Sequence, residues 1–313
     1  PLQGLQALHP NVVFEKGCNT ADDDTASIPH AEAAAAQADA TVIFVGISGT
    51  QERENHDRSD IGLPGVQNLL VERVAAAAKG PVVVVVISGS SVDVSTAAFS
   101  PSVGAILWGG YPGQSGGEAI AEVIFGHHNP AGRLPVTFHF ANYTQEVDFH
   151  EMGLRRNASN RHPGRTYRFY HGPVLYPFGH GLSYTIFRYA LRCPAPPRLA
   201  AVAADLEATR LRPHIAPVVA TVAVTVQNTG NRAGAHSVLL FVQPPPQAPE
   251  GSPQQSLRGF DKVYLEPGAK ATVQLPLTAH SFALALPSTG RLAVVVGDWS
   301  VQVGEQRCPL PLT

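Results

Sequence analysis

The sequence predicts an α/β domain, with a mostly parallel sheet flanked by helices, followed by an all-β sandwich. In roughly the first 190 residues, short apolar runs alternate with helical patterns, which is typical of a wound α/β domain. Beyond about residue 205 the apolar residues recur with a period of two between turn signals, which is typical of a β-sandwich. The 313 residues are enough for two domains with separate cores.

Near-continuous apolar runs predict the strands of the first domain. TVIFVG (41–46) and PVVVVVISG (81–89) are rich in β-branched residues, as expected of strands covered on both faces of a parallel sheet. VGAILWGG (103–110) predicts another strand of the same kind. NVVFEKG (11–17) predicts a further strand near the start of the chain.

Three segments between these runs predict helices. They are AEAAAAQA (31–38), the segment 64–80 and SGGEAIAEVIFG (115–126). In the second of them Pro64 stands near the start and Gly80 just past the end, the usual asymmetry of helix termini. Alternation of strands and helices therefore predicts a wound sheet.

A Pro/Ala-rich segment separates the two predicted domains. We assign residues 1–192 to the α/β domain with its connector, 193–204 to a linker and 205–313 to the sandwich. Proline-rich residues 243–256 predict a mobile loop within the sandwich. We expect roughly seven strands there, on the basis of six alternating runs. These runs cover residues 218–230, 236–243, 261–268, 271–278, 290–298 and 299–305.

Composition excludes two classes of partner. Lys and Arg number 22 and Asp and Glu 24, so the net charge is −2 and no basic face for nucleic acid is predicted. No apolar run approaches the roughly 20 residues of a membrane span. Three cysteines, Cys18, Cys193 and Cys308, cannot all pair within one chain. We hypothesise a Cys193–Cys308 disulfide, and three unpaired thiols remain equally open.

Two glycosylation sequons occur, at Asn142 and Asn157, and they would be acceptors in a secreted protein. The chain opens on Pro1, without Met or a signal peptide, as a fragment or a processed form would. We therefore expect an extracellular location on the basis of the sequons rather than of a signal peptide.

The most polar stretch, GTQERENHDRSD (49–60), directly follows a predicted buried strand. Ligands bind at the carboxyl ends of strands in open α/β sheets, and long loops in compact domains are usually functional or disordered. Glu52 and Glu54 are two residues apart, so an extended loop would direct both to one side. A carboxyl group in a partly dry pocket could act as a general acid. The alternative is a solvated loop with a local Asp57–Arg58 ion pair.

Other chemical motifs are weaker. GQSGG (113–117) fits the nucleophile pattern G-x-S-x-G, but GGYPG intervenes after the strand, so Ser115 is better interpreted as a helix N-cap. His127, His128 and the scattered acidic residues lack metal-ligand spacing. No phosphate-binding glycine motif occurs, so we predict neither a metal nor a cofactor.

Several blocks, in order, resemble glycoside hydrolase family 3, especially its β-xylosidase and α-arabinofuranosidase branch. The joint pattern GYPGQSGG, NPAGRLP and YPFGHGLSYT is the most specific part. The later blocks resemble the fibronectin-III-like domain of that family. The matching blocks are residues 38–46, 52–58, 80–95, 105–138 and 163–185, followed by 226–234, 257–268 and 294–304.

The resemblance implies a three-module enzyme: an N-terminal (β/α)8-like barrel, an α/β sandwich and a fibronectin-III-like domain. The chain would begin inside the second module, and the nucleophilic aspartate would lie on the missing barrel. The family pattern E-x-E-x-x-D-R falls on residues 52–58 and implies that Glu54 is the general acid/base. Arg53 stands where relatives tend to have a small residue. We expect Asp57 and Arg58 to brace the loop and Glu52 to accept a sugar hydroxyl.

These residues predict part of a retaining exo-acting glycoside hydrolase that cleaves β-xylosides or related pentosides, with an oligosaccharide or glycoside as substrate. Without the barrel, the chain alone should be inactive. Two alternatives remain open: a non-catalytic carbohydrate-binding or interaction module, and a serine hydrolase at Ser115.

Overall fold

The computed structural model describes residues 1–313, which divide into two compact units. We call them the α/β unit and the sandwich unit, and each is assembled from three segments of the chain. The α/β unit comprises Pro1–His128, Val136–Glu151 and Pro173–Pro177. The sandwich unit comprises Asn129–Pro135, Met152–Gly172 and Phe178–Thr313.

The α/β unit is built on a three-stranded parallel sheet of order β1-β2-β3. Its strands are β1 (Thr41–Gly46), β2 (Val82–Ile87) and β3 (Val103–Gly110). Its helices are α1 (Leu2–Leu8), α2 (Ile28–Gln37), α3 (Gln67–Ala77), α4 (Ser95–Phe99), α5 (Gly116–Ile124) and α6 (Tyr143–Glu146). The predicted mostly parallel sheet flanked by helices is confirmed. None of the helices in the chain is long and apolar enough to span a bilayer.

The central strand shows why these runs form a sheet. Val84, Val85 and Val86 in β2 are fully buried, because the strand has a neighbour on each side and layers of side chains above and below. β-branched residues fit such a surface well. The predicted strand at 11–17 is wrong, because that segment pairs with neither edge of the sheet, and Val13 and Phe14 stay 78% and 64% exposed. An unpaired apolar run gains no ladder hydrogen bonds from an extended conformation.

The sandwich unit contains two antiparallel sheets, one of order β12-β11-β6-β7 and one of order β4-β5-β8. The strands are β4 (Phe187–Arg192), β5 (Val218–Asn228), β6 (Gly234–Gln243), β7 (Ser256–Leu265), β8 (Lys270–Thr278), β9 (Leu284–Ala285), β10 (Leu292–Ala293), β11 (Gly297–Val303) and β12 (Gln306–Leu312). The helices are α7 (Thr166–Phe169), α8 (Leu199–Ala208) and the short 3₁₀ turns Pro213–Ile215 and Ala279–Phe282. β9 and β10 form a small separate ribbon.

The predicted all-β sandwich is confirmed, and its two sheets contain seven strands, but one of them, β4, precedes the predicted domain and not every other strand was foreseen. The run 290–298 yields only the two-residue β10 and the start of β11. The sequence did not predict β12, because Pro309 and Pro311 are atypical of a strand. Proline is tolerated there because β12 lies at the edge of its sheet. Inward side chains of both sheets form one apolar core, which includes Val224 of β5 and Val301 of β11.

The segment expected to be a linker is partly helical. Residues 199–208 form α8, and its Val202 is fully buried in the sandwich core. The strand β4, which the predicted boundary placed in the first domain, pairs with β5. Cys193 follows β4 and forms a disulfide with Cys308, with the Cα atoms 5.6 Å apart, while Cys18 is free. Alanine and leucine favour helix here despite the preceding prolines.

Candidate active-site loop

The charged loop, residues 48–60, leaves the carboxyl end of β1. It lies beside the residues that follow β2 and β3, because its side chains contact Gly89, Ser90 and Tyr111. All three parallel strands therefore contribute their carboxyl ends to one edge. This is the edge where open α/β sheets bind ligands.

Glu52 anchors the base of this loop. Its Oε1 accepts hydrogen bonds from the Gly89 amide and the Tyr111 hydroxyl, both at 3.0 Å. Its Oε2 accepts a hydrogen bond of 2.5 Å from the Ser90 hydroxyl and lies 3.3 Å from Nε of Arg58. Both carboxylate oxygens are thus occupied by the chain itself. The structure assigns Glu52 an anchoring position that differs from the sugar-binding role expected from the sequence.

The electrostatics of the base keep Glu52 ionised. Burial alone would raise the pKa of Glu52, but hydrogen bonds from Ser90 and Tyr111, the charge of Arg58 and the Gly89 amide together lower that pKa below its ordinary value. Burial, with the Glu52 hydrogen bond and charge, raises the pKa of Tyr111, so its hydroxyl stays a donor. The network is therefore a permanent charge-assisted clamp near neutral pH.

The clamp depends on a glycine that sequence reasoning missed. A Cβ atom at Gly89 would lie 2.7 Å from Cε2 of Tyr111 and 2.8 Å from Oε1 of Glu52. No side chain fits there without displacing the two partners of the clamp. The only sequence signal was the position of Gly89 just after a buried strand.

Arg58 belongs to the clamp, and Asp57 does not. Nη2 of Arg58 donates to Oγ of Ser90 at 2.7 Å and to the carbonyl of Ser91 at 3.1 Å, whereas Nη1 is buried without a hydrogen-bond partner. Asp57 is exposed and forms neither a hydrogen bond nor an ion pair. The local Asp57–Arg58 pair of the alternative reading does not form, because Arg58 pairs with Glu52 instead.

Glu54 lies at the tip of a tight turn. The backbones of Arg53 and His56 exchange hydrogen bonds of 3.1 and 2.9 Å, which makes Glu54 and Asn55 the two central residues. Asn55 has φ = 62°, a left-handed conformation that asparagine tolerates better than most residues. Glu54 is exposed and forms no hydrogen bond or ion pair with the chain. The turn therefore presents its carboxyl group outward from the clamped base.

Arg53 connects the tip of the turn to the start of the loop. Its Nη1 donates to the carbonyl of Gly49 at 2.7 Å. The loop start is fixed in turn by Gln51, whose Oε1 accepts hydrogen bonds of 2.9 Å from both the amide and the hydroxyl of Ser48. The loop thus has its own internal framework, which periodicity could not reveal.

A buried amide holds the end of β1 beneath the loop. Oε1 of Gln67, at the start of α3, accepts from the Gly46 amide at 2.6 Å. Its Nε2 donates to the carbonyls of Gly46 and Thr20, each at 2.7 Å. Gln67 is 3% exposed, and it satisfies backbone groups at the end of the edge strand β1 and the carbonyl of Thr20.

The other candidates remain outside this arrangement. Ser115 occupies the N-cap position of α5, and its hydroxyl forms no hydrogen bond, so no base activates it. His127 and His128 are exposed, and no group of three or more His, Cys, Asp or Glu side chains could hold a metal ion. The sequon residues Asn142 and Asn157 are both exposed.

Family models match both parts of the chain. The glycosyl hydrolase family 3 C-terminal domain matches residues 1–184, and a fibronectin type III-like domain matches residues 236–307. The chain belongs to glycosyl hydrolase family 3. The family resemblance seen in the sequence is thereby confirmed, as is the order of its two domain types.

Curated relatives of this family 3 chain include β-xylosidases. It is 38% identical to β-D-xylosidase 1 of Arabidopsis thaliana, over 97% of the chain and 41% of the relative. It is also 38% identical to β-xylosidase/α-L-arabinofuranosidase 2 of Medicago sativa subsp. varia, over 99% of the chain and 41% of the relative. The chain therefore spans about two fifths of the length of the relatives it matches.

Solved structures of glycosidases share the fold. The GH3 exo-β-xylosidase XlnD, in complex with a xylobiose aziridine activity-based probe, superposes with a TM-score of 0.89 at 32% identity, over 99% of this chain and 42% of that one. A β-glucosidase from Erythrobacter marinus superposes with a TM-score of 0.76 at 31% identity, over 100% of this chain and 43% of that one.

Proposed function

We propose that this chain supplies Glu54 as the general acid/base of a retaining, exo-acting glycosidase that cleaves β-xylosides or related pentosides. The observation that carries the proposal is the contrast between the two loop glutamates. Glu52 has all its oxygens engaged at the base, whereas Glu54 is presented at the tip without a partner in the chain. The xylosidase names of the relatives support the substrate class.

The mechanism needs a second carboxyl group from outside this chain. A retaining glycosidase uses two carboxyl groups about 5–5.5 Å apart, one as nucleophile and one as acid/base. Glu54 would protonate the leaving glycosidic oxygen while an aspartate of an N-terminal barrel attacks the anomeric carbon. Glu54 would then remove a proton from the water that hydrolyses the glycosyl intermediate. The chain spans about two fifths of its relatives, which leaves room for such a barrel.

The clamp would position Glu54 for these transfers. A proton donor has to stay within hydrogen-bond reach of the glycosidic oxygen, and small displacements cost rate. The Glu52–Arg58 ion pair and the Arg53–His56 turn restrict the loop from both ends. A general acid has to be protonated, and desolvation favours the protonated form of a carboxyl group. Glu54 is exposed in this chain, so the residues that shield it from water would have to come from the barrel.

The test is Glu54→Gln in the complete enzyme, with Glu72→Gln, an exposed glutamate of α3, as the matched control. Hydrolysis of xylobiose should fall by about 10²–10⁴-fold, because its poor leaving group needs protonation. Aryl xylosides with activated leaving groups should lose far less, and azide should partly restore their turnover. The control should keep wild-type rates on both substrates.

Equal losses on both substrate classes, without azide rescue, would remove Glu54 from this role. The 313-residue chain alone should release no p-nitrophenol from an aryl β-xyloside above background, because the proposed nucleophile lies on a barrel outside it. Measurable turnover by the chain alone would refute the division of the carboxyl pair between two modules.

We infer that the protein passes through the secretory pathway. The Cys193–Cys308 disulfide is of a kind that persists in oxidising compartments, and Asn142 and Asn157 are exposed enough to accept glycans. Expression in a eukaryotic secretion host should give a mass that falls on treatment with an amidase that removes N-glycans. An unglycosylated product with free thiols at both cysteines would contradict this inference.

A further inference from the structure

Two arginine side chains of the sandwich unit lie against the Phe169 ring, and a third arginine lies near one of them, all without an acidic partner. The Cζ atom of Arg155 lies 6.0 Å, and that of Arg168 5.2 Å, from the centroid of the Phe169 ring. Arg258, in β7, lies near Arg168: burial lowers the pKa of Arg258, and the positive charge of Arg168 lowers it further. None of the three forms an ion pair within the chain. We call Arg155, Arg168 and Arg258 the arginine cluster.

The cluster has more hydrogen-bond donors than the chain satisfies. Nη2 of Arg155 donates to the carbonyl of Ala285 at 2.7 Å. Nη1 of Arg155 and the Nε atoms of Arg168 and Arg258 are buried without a hydrogen-bond partner. Removing a charged donor from water without pairing it is unfavourable, so buried cations normally have acceptors. These guanidinium groups are therefore partly desolvated in advance of any partner.

The backbone beneath the cluster is held firmly. The Tyr167 ring stacks on Phe178 with centroids 4.2 Å apart, and the Tyr167 hydroxyl accepts the Leu257 amide at 3.0 Å. Nε2 of Gln254 donates to the carbonyls of Tyr167 and Tyr170 at 3.1 and 2.7 Å. These contacts tie the segment of Arg168 to the start of β7, which carries Arg258. The arginines thus stand on a preorganised surface.

We propose that the arginine cluster is a docking site for a polypeptide segment that carries Asp or Glu side chains. The planar guanidinium fork matches a carboxylate, and several cations close together suit several carboxylates on one chain. Met152 and Leu154 closely precede Arg155 in the chain and are 83% and 48% exposed, so the segment that carries one of the cations also carries exposed apolar side chains. A protein segment would cover both kinds of surface, whereas an acidic sugar or a free anion gains nothing from the apolar part.

The experiment measures binding of a fluorescein-labelled hexapeptide, Glu-Glu-Leu-Glu-Glu-Leu, to the 313-residue chain by anisotropy, with the Gln-for-Glu peptide as the uncharged probe. The net charge of −2 gives the chain no general attraction for acidic peptides. Arg168→Met and Arg258→Met should each weaken binding by about tenfold or more. Arg307→Gln, an exposed arginine of β12 without an ion pair, should leave the Kd within about twofold, as expected for an unpaired surface charge.

Lysine variants guard against misfolding as the cause of lost binding. Arg168→Lys and Arg258→Lys keep the charge but lose the fork, so binding should weaken by only about threefold, with unchanged Trp299 fluorescence. Absence of saturable binding, or equal weakening by Arg307→Gln, would overturn the proposal. Displacement of the peptide by free glucuronate at equal carboxylate concentration would also overturn it, because the occupant would then be any carboxylate. None of these readouts depends on Glu54, so they are independent of the proposed catalytic role.

Discussion

The base of the charged loop and the arginine cluster both withdraw charge from water, but only the first contains its own partners. At the base, Glu52 accepts from an amide and two hydroxyls and pairs with Arg58. In the cluster, Arg168 and Arg258 each keep a buried Nε without an acceptor, and no carboxylate is paired with either. One region is electrostatically complete within the chain, and the other is not.

The difference separates charges that build structure from charges that await a ligand. A satisfied network fixes geometry, so the base can hold the turn that carries Glu54, the residue that we propose as the general acid/base. An unsatisfied cation costs stability in isolation and gains it only on binding. Replacing an arginine by methionine should therefore lower the free energy of unfolding at the base of the loop, and should leave it unchanged or raise it in the arginine cluster. The size of each change tests the comparison.

The largest effect should come from breaking the complete network. Glu52→Gln leaves Arg58 partly buried without its counter-charge, since the two side chains are only 21% and 12% exposed. We expect a loss of about 3 kcal/mol in the free energy of unfolding of the α/β unit. Urea unfolding monitored by hydrogen exchange at residues 41–58 would measure it. A loss below about 0.5 kcal/mol, the level of a surface pair, would show that the clamp is not structural.

A second complete network lies in the sandwich unit and makes its stability sensitive to acid. Nη2 of Arg133 faces Nδ1 of His236 at 3.2 Å, and the other ring nitrogen contacts the Tyr189 hydroxyl. Arginine cannot accept, so Nδ1 accepts and the imidazole is neutral. Burial and the charge of Arg133 lower the pKa of His236 to about 4.

The sign of the pH dependence follows from this depressed pKa. The unfolded chain binds a proton at His236 below about pH 6.5, whereas the folded chain does so only near pH 4, so stability is lost as the pH falls between these values. The loss from this residue should reach about 2 kcal/mol by about pH 5. His236→Gln should flatten that part of the pH profile of sandwich unfolding, followed by Trp299 fluorescence. An unchanged slope would mean that the network does not exclude the proton.

A smaller effect should come from crowding the clamp. Gly89→Ala places a methyl group against Tyr111 and Glu52, both of which are side chains that can shift. We expect a loss of about 1–2 kcal/mol in the stability of the α/β unit. In the complete enzyme, turnover of xylobiose should fall further than that of aryl xylosides, because a displaced loop weakens leaving-group protonation first. Equal changes for both substrates would separate the clamp from the acid/base role.

These contacts mark how far sequence reasoning reached. The β-branched runs of β1 and β2 and the alternation in β5 and β6 predicted both folds, because burial on two faces or on one leaves a local pattern. The family motif also singled out Glu54, since its spacing is local too, and the acid/base role of Glu54 stays a prediction. The three hydrogen-bond donors to Glu52 lie 37, 38 and 59 residues away, so no short stretch of sequence contains them together with Glu52.

The failures have the same origin. The run 11–17 has the composition of a strand but has no partner strand. In contrast, β12 lacks a typical strand composition, but it pairs with β11. The linker prediction missed α8. The buried side chains of this helix pack against strands that are distant in sequence, so no local pattern reveals them. The arginine cluster was invisible because Arg155 and Arg168 are separated from Arg258 by most of the sandwich sequence.

The smallest effect should come from removing a charge that has no partner. Arg258→Met keeps the volume and apolar stem of the side chain and deletes a buried, unpaired cation. In the 313-residue chain, the free energy of unfolding of Arg258→Met should stay within about 0.5 kcal/mol of wild type or rise. The variant Arg58→Met, at the paired arginine, should lose about 3 kcal/mol. Urea denaturation of both variants, read in each unit by hydrogen exchange, makes the comparison. A large loss for Arg258→Met would mean that the cluster already has acceptors within the chain, and the two regions would then not differ in kind.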